Sequence, residues 1–365
     1  MSKSYTPGLK ILRNTKIVKE RKLPLKGKVN CSIGDQVKSS ETVASTSLPG
    51  NIHMMNISNQ LNIDPSSIED FVKVSIDEEI NKGDLLAENN GFFGLFKSQI
   101  FSPLKGHISN ISNTTGQIMI SEPDIPVEID AYIDGKVTEV IKDEGVVLES
   151  KGVFIQGIIG VGGEKKGHIH LVNRDSDSDF QGKILIIKDS INKELYNKYS
   201  DMGAVAIIAG GFDYNSLSSI LGYKLGVAIT GTESITTTLM VTEGFGDVEM
   251  SEKTYNILKE HSGKHASING ATQIRAGVIR PELIISLNDD SGNYKEFNER
   301  DLVIQEGSKV RVIRQPYFGL LGIVKSLPKD PVVIESETRA RVAEVEFDNN
   351  KRKLVPRANL EIILE

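Results

Sequence analysis

Apolar and polar residues alternate with a period of two through the first two-fifths of the chain, and glycines punctuate the alternation. KGKVNCSIGDQVKSSETVAS (26–45) turns at Gly34-Asp35 between two short alternations, and VKVSIDEEINKGDLLAENNG (72–91) repeats the device at Gly83-Asp84. SPLKGHISNISNTTGQIMI (102–120) and AYIDGKVTEVIKDEGVVLES (131–150) continue the pattern. Side chains alternate sides along a strand, so each unit predicts a strand, a tight turn and a second strand with apolar residues facing inward. A helix is expected near 64–71, where Asp64 can cap and Pro65 takes the first helical position.

The period then changes. GKILIIKD (182–189), AVAIIAGG (204–211), VAIT (227–230) and TTLMVTEGFG (237–246) are continuous apolar runs of buried-strand type. Between them SINKELYNKYSDMG (190–203) has a serine cap, helical spacing and a closing glycine, and NSLSSILGYKLG (215–226) is a shorter helix. MSEKTYNILKEHSG (250–263) is a further helical pattern, and RPELIISL (280–287) returns as a strand. Strands alternating with helices predict a parallel or mixed sheet with helices packed on it. The polar run NDDSGNYKEFNER (288–300) reads as a linker before a strand-rich end. The predicted architecture is multidomain and mainly β with an α/β part. Its boundaries are an N-terminal arm (1–23), a β domain (24–172), an α/β domain (173–290) and a small C-terminal barrel (301–365).

Composition narrows the class. At 365 residues, 39% apolar and 25% charged, the chain suits two to four globular domains. The one cysteine, Cys31, rules out an internal disulfide and a CxxC centre, and points to a reducing, cytoplasmic setting. No apolar run reaches the ~20 residues needed to cross a bilayer as a helix, and no apolar leader opens the chain. The net charge of −6 is uneven: residues 1–28 carry +8 and the remainder −14. Such an arm can meet phosphates or rest on the chain's own acidic body.

Two stretches carry family resemblances. The order Gly-Asp-x-Val, then Ser-Pro-x-x-Gly-x-Ile at Ser102–Ile108, then a further Gly-x-Val resembles the barrel-sandwich hybrid fold of biotinyl and lipoyl domains. It is closer to their unmodified relatives in ion-pumping redox complexes, such as the C subunit of the Rnf complex. Lys97 is the nearest counterpart of a carrier lysine, but its GLFKSQIF context lacks the carrier pattern, so no covalent cofactor is expected. Near the C-terminus, GSKVRVIRQPYFGLLGIVKSLPKD resembles the KOW motif of ribosomal proteins and NusG-type elongation factors. The resemblance implies a five-stranded SH3-like barrel, with Val310, Val312, Ile323 and Val324 in its strands. It also implies that Gly319 and Gly322 turn the linking loop, with a hairpin turn at Asp348-Asn349-Asn350.

That resemblance implies contact with RNA, a ribonucleoprotein or a protein partner. Residues 301–365 sum to only +1, yet basic residues group around an aromatic loop. The candidate contacts are Arg311, Arg314, Tyr317, Phe318, Lys325, Lys351, Arg352 and Arg357, with Tyr317-Phe318 either covering the barrel end or stacking outward. In the α/β part, ligands settle where parallel strands end. Gly210, Gly211, Thr230, Glu233, Thr242, Glu243, Gly244, Asn269, Gln273 and Arg275 would form a small-molecule pocket if their loops share one edge.

No nucleophile, base and acid combination stands out, so no catalytic residue is assigned and an enzyme is the less favoured reading. GVGGEKKGH (160–168) is a glycine hairpin rather than a dinucleotide fingerprint, because no helix follows it. His168 with His170, and His261 with His265, are pairs lacking a third ligand, so no metal is expected. The expected function is a non-catalytic binding or scaffold protein near RNA, ribosome or transcription machinery. The alternative is a metabolite- or cofactor-binding accessory subunit of an enzyme complex.

Overall fold

The structure is a computed structural model that describes residues 9–90, 97–172, 179–222, 231, 233, 235–273, 279–287, 303–314, 316–317, 320–334, 338–347 and 351–362. The predicted strand at 227–230, the linker at 288–300, Gly319 and the turn at 348–350 lie outside these residues. Strands dominate, in several sheets, with a few short helices.

The glycine-aspartate turns form as their chemistry requires. Gly34 and Gly83 adopt φ of +100° and +94°, a region open to residues without a Cβ. In each turn the aspartate accepts the N–H three residues upstream: Asp35 from Ser32 at 2.8 Å, Asp84 from Asn81 at 2.7 Å. The β region of 24–172 holds two cores. One gathers Val37, Val43, Tyr132, Val137, Val146 and Leu148. The other, fed by strands Ile52–Asn56, Gly106–Ser112 and Gln117–Ser121, gathers Ile57, Ile68, Leu86, Ile108 and Ile118. The expected short helix is present: Asp64 accepts the Ser66 N–H, Pro65–Ser67 makes one tight turn, and Ile68–Phe71 follows.

Residues 11–22 of the expected arm form a strand, and residues 1–8 lie outside the described residues. Ile11–Lys22 lies antiparallel along Gly145–Gln156, from Ile11 opposite Ile155 to Lys22 opposite Gly145. Ile17 is buried on one side of it, while its cations meet acids on the rest of the chain. Arg13 meets Glu260, Lys16 meets Glu149, Lys19 meets Glu282 and Arg21 meets Glu164.

Gly145–Gln156 belongs to two regions at once. Its first half pairs with Gly135–Ile141 and its second half with Glu282–Ser286. The predicted boundary near 172 therefore falls inside a continuous sheet. That sheet runs through the 159–161, 238–245, 206–212, 183–187, 164–171, 265–269, 282–286 and 145–156 strands in that order. Beyond 145–156 the sheet continues through 135–141 to 36–37. Only Gly157 and Ile158 separate strands 145–156 and 159–161 in the chain, and their N–H groups donate to the Pro281 and Val241 carbonyls, so the sheet curls back on itself without closing.

On one face of the sheet, Val153, Ile169, Ile184, Ile208 and Ile285 pack with Ile257 and Leu258 of helix Glu252–Glu260. On the other face, helices Lys193–Asp201 and Tyr214–Leu221 press Tyr196, Tyr199 and Leu217 onto Leu185, Ile207 and Leu239. Each helix is capped by a side-chain oxygen: Asn192, Asp213 and Ser251. The first cap is Asn192 rather than Ser190, whose hydroxyl turns to Asp247.

The glycine stretch 160–163 is not a hairpin. Residues 159–161 pair with 238–245, whereas 164–171 pairs with 183–187 and 265–269. The link crosses one mouth of the curl so tightly that a Cβ on Gly160 would lie 2.6 Å from the Gly270 carbonyl oxygen.

The C-terminal region forms a five-stranded antiparallel sheet in the order 352–356, 342–347, 321–326, 309–312 and 360–362. Val310, Val312, Val324, Val345, Val355 and Leu360 fill its core. Gly322 lies within a strand rather than in the linking loop. A Cβ there would meet Val345 Cγ1 at 2.5 Å, so close strand approach accounts for this glycine.

Candidate functional site

The expected contact residues of the C-terminal sheet divide into three groups. Arg314 and Lys351 are exposed, and Arg314 has no ion pair among the described residues. Lys325 and Arg352 are exposed but share Glu346, each at 2.7 Å, and together they hold that carboxyl below its usual range through hydrogen bonds and charge. Tyr317 is half-buried, its ring 5.7 Å from Phe347, so it covers the end of the core rather than stacking outward. Phe318 lies outside the described residues.

Arg311 is not a surface residue. It is 5% exposed and its guanidinium spans two regions of the chain. Nη1 donates to Glu243, at the end of strand Thr238–Phe245, and Nη2 donates to Glu361 at 2.7 Å. Alternation explains the position: Val310 and Val312 point into the core, so Arg311 points out, toward the face that packs on the α/β part. Glu243 and Glu361 are 6% and 3% exposed, and Glu243 also accepts the Ser251 N–H at 3.0 Å. Burial raises the Glu243 carboxyl above its ordinary value, and the nearby Glu361 adds to this, against the lowering by Arg311 and Ser251.

Arg357 is also partly engaged, donating to the Val342 and Pro328 carbonyls at 3.0 and 2.9 Å. Those bonds gather a corner that the sequence pattern did not reveal. Arg357 N–H bonds to the Arg341 carbonyl, Pro328 leads into exposed Lys329, and Arg339 lies two residues before Arg341. Lys329, Arg339 and Arg341 are exposed and have no ion pair among the described residues.

The α/β loop residues do not share one edge. Gly210, Gly211, Thr242, Glu243 and Gly244 lie where strands 206–212 and 238–245 end. Glu233, Asn269 and Gln273 lie at the opposite mouth, near the start of strand 238–245 and the end of strand 265–269. At the first mouth the strand ends are filled by protein. A Cβ on Gly210 would sit 2.3 Å from the Met250 nitrogen, and Thr242 donates to the Ala209 carbonyl. Glu243 is taken by Arg311. At the second mouth Glu233 accepts the Gly162 and Gly231 N–H groups, and Asn269 accepts that of Ala271. Thr230 and Arg275 lie outside the described residues.

The histidines do not assemble a metal site. His168 meets His265 edge-on at 5.5 Å, His170 lies 5.7 Å from Phe180, and His261 Nδ1 faces the Ile257 carbonyl at 2.8 Å. Among the described residues no group of three His, Cys, Asp or Glu is placed to hold a metal. Lys97 is paired with Glu88 at 2.8 Å.

Sequence reasoning missed a second charge cluster, built from four elements far apart in the chain. Arg21 forks onto Glu164 at 2.7 and 2.8 Å and donates through Nε to the Asp130 carbonyl at 2.8 Å. Lys166 pairs with Asp130, and Lys19 with Glu282 at 2.5 Å. These groups surround Tyr132, which is 1% exposed and has a φ of +65°. A bulky residue at positive φ is strained and must be held by its surroundings. Here Asp130 and Ser39 accept its N–H, Ser267 donates to its carbonyl, and the Arg21 guanidinium lies 5.3 Å from its ring centre. Among the described residues its hydroxyl makes no full hydrogen bond, and its contact with Glu282 is the weakest of the effects on it. Burial, and then the charge of Glu282, hold the phenol well above its ordinary range, so it stays protonated. An open recess of about 430 Å³ borders this cluster, lined by Arg21, Asp130, Glu164 and Lys166. Alternating charges at partly buried sites fit a polar seam joining two regions better than a ligand pocket.

No family model and no curated protein matches the chain. Among the described residues no helix is long and apolar enough to cross a membrane.

Proposed function

We propose that this chain is a non-catalytic binding protein whose C-terminal module contacts RNA, within ribosomal or transcription machinery of the cytoplasm. The reading takes the five-stranded sheet as a KOW-like SH3 barrel and the N-terminal β region as a barrel-sandwich hybrid without a modified lysine. The observation that carries it is the corner at Lys329, Arg339, Arg341 and Arg357. Three of these cations are exposed without an acid partner among the described residues, and the fourth holds the backbone that presents them. Exposed cations that no described acid neutralises suit phosphate, because binding replaces counter-ions and breaks no ion pair among the described residues. The first strand adds nothing to such a contact, since its cations are spent within the chain.

The metabolite-binding alternative is less well supported. It requires the α/β loops to converge, and they sit at opposite mouths with their strand ends filled. A protein contact has one observation in its favour: Leu321, Ile323 and Leu354 are exposed on the outer side of the C-terminal sheet.

The test compares a labelled single-stranded RNA of mixed sequence bound by the wild type and by Lys329→Ala/Arg339→Ala/Arg341→Ala. Loss of tenfold or more in affinity, with the thermal midpoint unchanged, supports the reading. Equal affinity of the two proteins contradicts it, and a loss confined to Leu321→Ser/Ile323→Ser in partner binding favours the protein contact.

A further inference from the structure

The buried cluster at Arg311 holds one guanidinium against two carboxylates. Glu243 comes from the end of strand Thr238–Phe245, Arg311 from strand Lys309–Val312 and Glu361 from strand Leu360–Ile362. All three side chains are at most 7% exposed. With both acids ionised the cluster carries a net charge of −1 in a site shielded from water. Such a charge is costly to bury, and two carboxylates sharing one site do not ionise with equal ease. Adding one proton makes the cluster neutral and keeps its hydrogen bonds, because a protonated carboxyl still offers an acceptor oxygen.

We propose that this cluster is a proton-linked latch: the C-terminal sheet docks on the α/β part with one proton more than it binds when undocked, and Glu243 is the group that carries it. The charged groups acting on Glu243 among the described residues are Arg311 and Glu361, and the start of helix Glu252–Glu260 presents the Ser251 N–H. Arg311 and Ser251 favour the carboxylate, whereas burial and Glu361 oppose it more strongly.

The direction of the linkage follows. Docking raises the Glu243 pKa above that of an exposed glutamate, so the docked form binds its proton more tightly. The associated stability is complete below the ordinary glutamate range and is lost as pH rises through the raised value. Docking weakens by up to about tenfold per pH unit between the ordinary glutamate range and the raised value, the limit for one linked proton, and levels off above it. The latch is therefore closed in mild acid and loosened in alkali.

Arginine modification reads the latch directly, because Arg311 is buried and Arg314, three residues on, is exposed and serves as an internal reference. The full chain is treated with phenylglyoxal from pH 5 to 9, with longer exposure at the acid end, and modification at the two arginines is quantified by peptide mass spectrometry. The ratio of Arg311 to Arg314 reactivity should rise several-fold with pH in the wild type. It should stay flat in Glu243→Gln, which mimics the protonated acid, and still rise in Glu361→Gln. A wild-type ratio independent of pH overturns the proposal without recourse to any variant. A rise abolished by Glu361→Gln but kept in Glu243→Gln overturns the assignment of the proton.

Discussion

Two arginines, Arg21 and Arg311, each sit between two acids, and their surroundings make them different devices. Arg21 borders an open recess, its side chain is 15% exposed, and it is joined by Lys166 and Lys19, which balance the acids around it. Arg311 stands alone against Glu243 and Glu361, and its side chain is 7% exposed. The first cluster is close to neutral and partly wet, so it acts as a seam that positions the first strand and the strained Tyr132 turn. The second is dry, and it would carry an excess negative charge if both its acids were ionised. Burial and charge balance, more than the number of ion pairs, separate a structural seam from a proton-sensitive contact.

Arg311→Ala breaks the comparison hardest. It leaves two buried carboxylates without a counter-charge, and about 3–5 kcal/mol of stability should be lost, measured by urea unfolding at neutral pH. Replacing all three members by Arg311→Met, Glu243→Leu and Glu361→Leu should instead leave stability unchanged or improved, since an apolar cluster of similar volume carries no desolvation cost. Arg21→Ala should cost less, about 1–3 kcal/mol, because water entering from the recess can solvate Glu164 and Asp130. Tyr132→Phe removes a buried hydroxyl that makes no full hydrogen bond among the described residues. It should be neutral or stabilising by up to about 1 kcal/mol, read as a small rise in thermal midpoint. Arg13→Ala, at an exposed pair with Glu260, should change stability by no more than about 0.5 kcal/mol.

Much of the local structure was legible because local chemistry decides it. Gly34-Asp35 and Gly83-Asp84 are turns whose glycine and carboxylate lie within four residues of each other. The helices at 193–201, 214–221 and 252–260 announce themselves by apolar spacing, although the first is capped by Asn192 rather than by the expected Ser190, and the buried runs at 183–187 and 206–212 read as strands. What the sequence hid depends on long-range pairing. The basic run at 10–22 has the composition of an arm, and the acids that neutralise it lie up to 247 residues away. The glycines of 160–163 look like a hairpin, yet the close approach they allow is to Gly270 across the mouth of the curl. The strand-end loops looked alike in composition, but which mouth each joins depends on strand order.

The contact residues illustrate the same limit. Arg311 has the look of a surface cation because its neighbours Val310 and Val312 alternate correctly. Alternation says that it leaves the core and cannot say what covers it. The corner at Lys329, Arg339 and Arg341 was missed because it needs Arg357 to bond back to Pro328, a contact across 29 residues.

The central claim is that the exposed cations at that corner, which have no acid partner among the described residues, meet phosphate. The direct measurement is the affinity of the wild-type chain for single-stranded RNA over a salt series from 50 to 300 mM. Three to four phosphate contacts predict that log K falls against log salt with a slope of about −2 to −3. The slope should approach zero when Lys329, Arg339 and Arg341 are replaced. No binding at the lowest salt, or a wild-type slope near zero, would contradict the account.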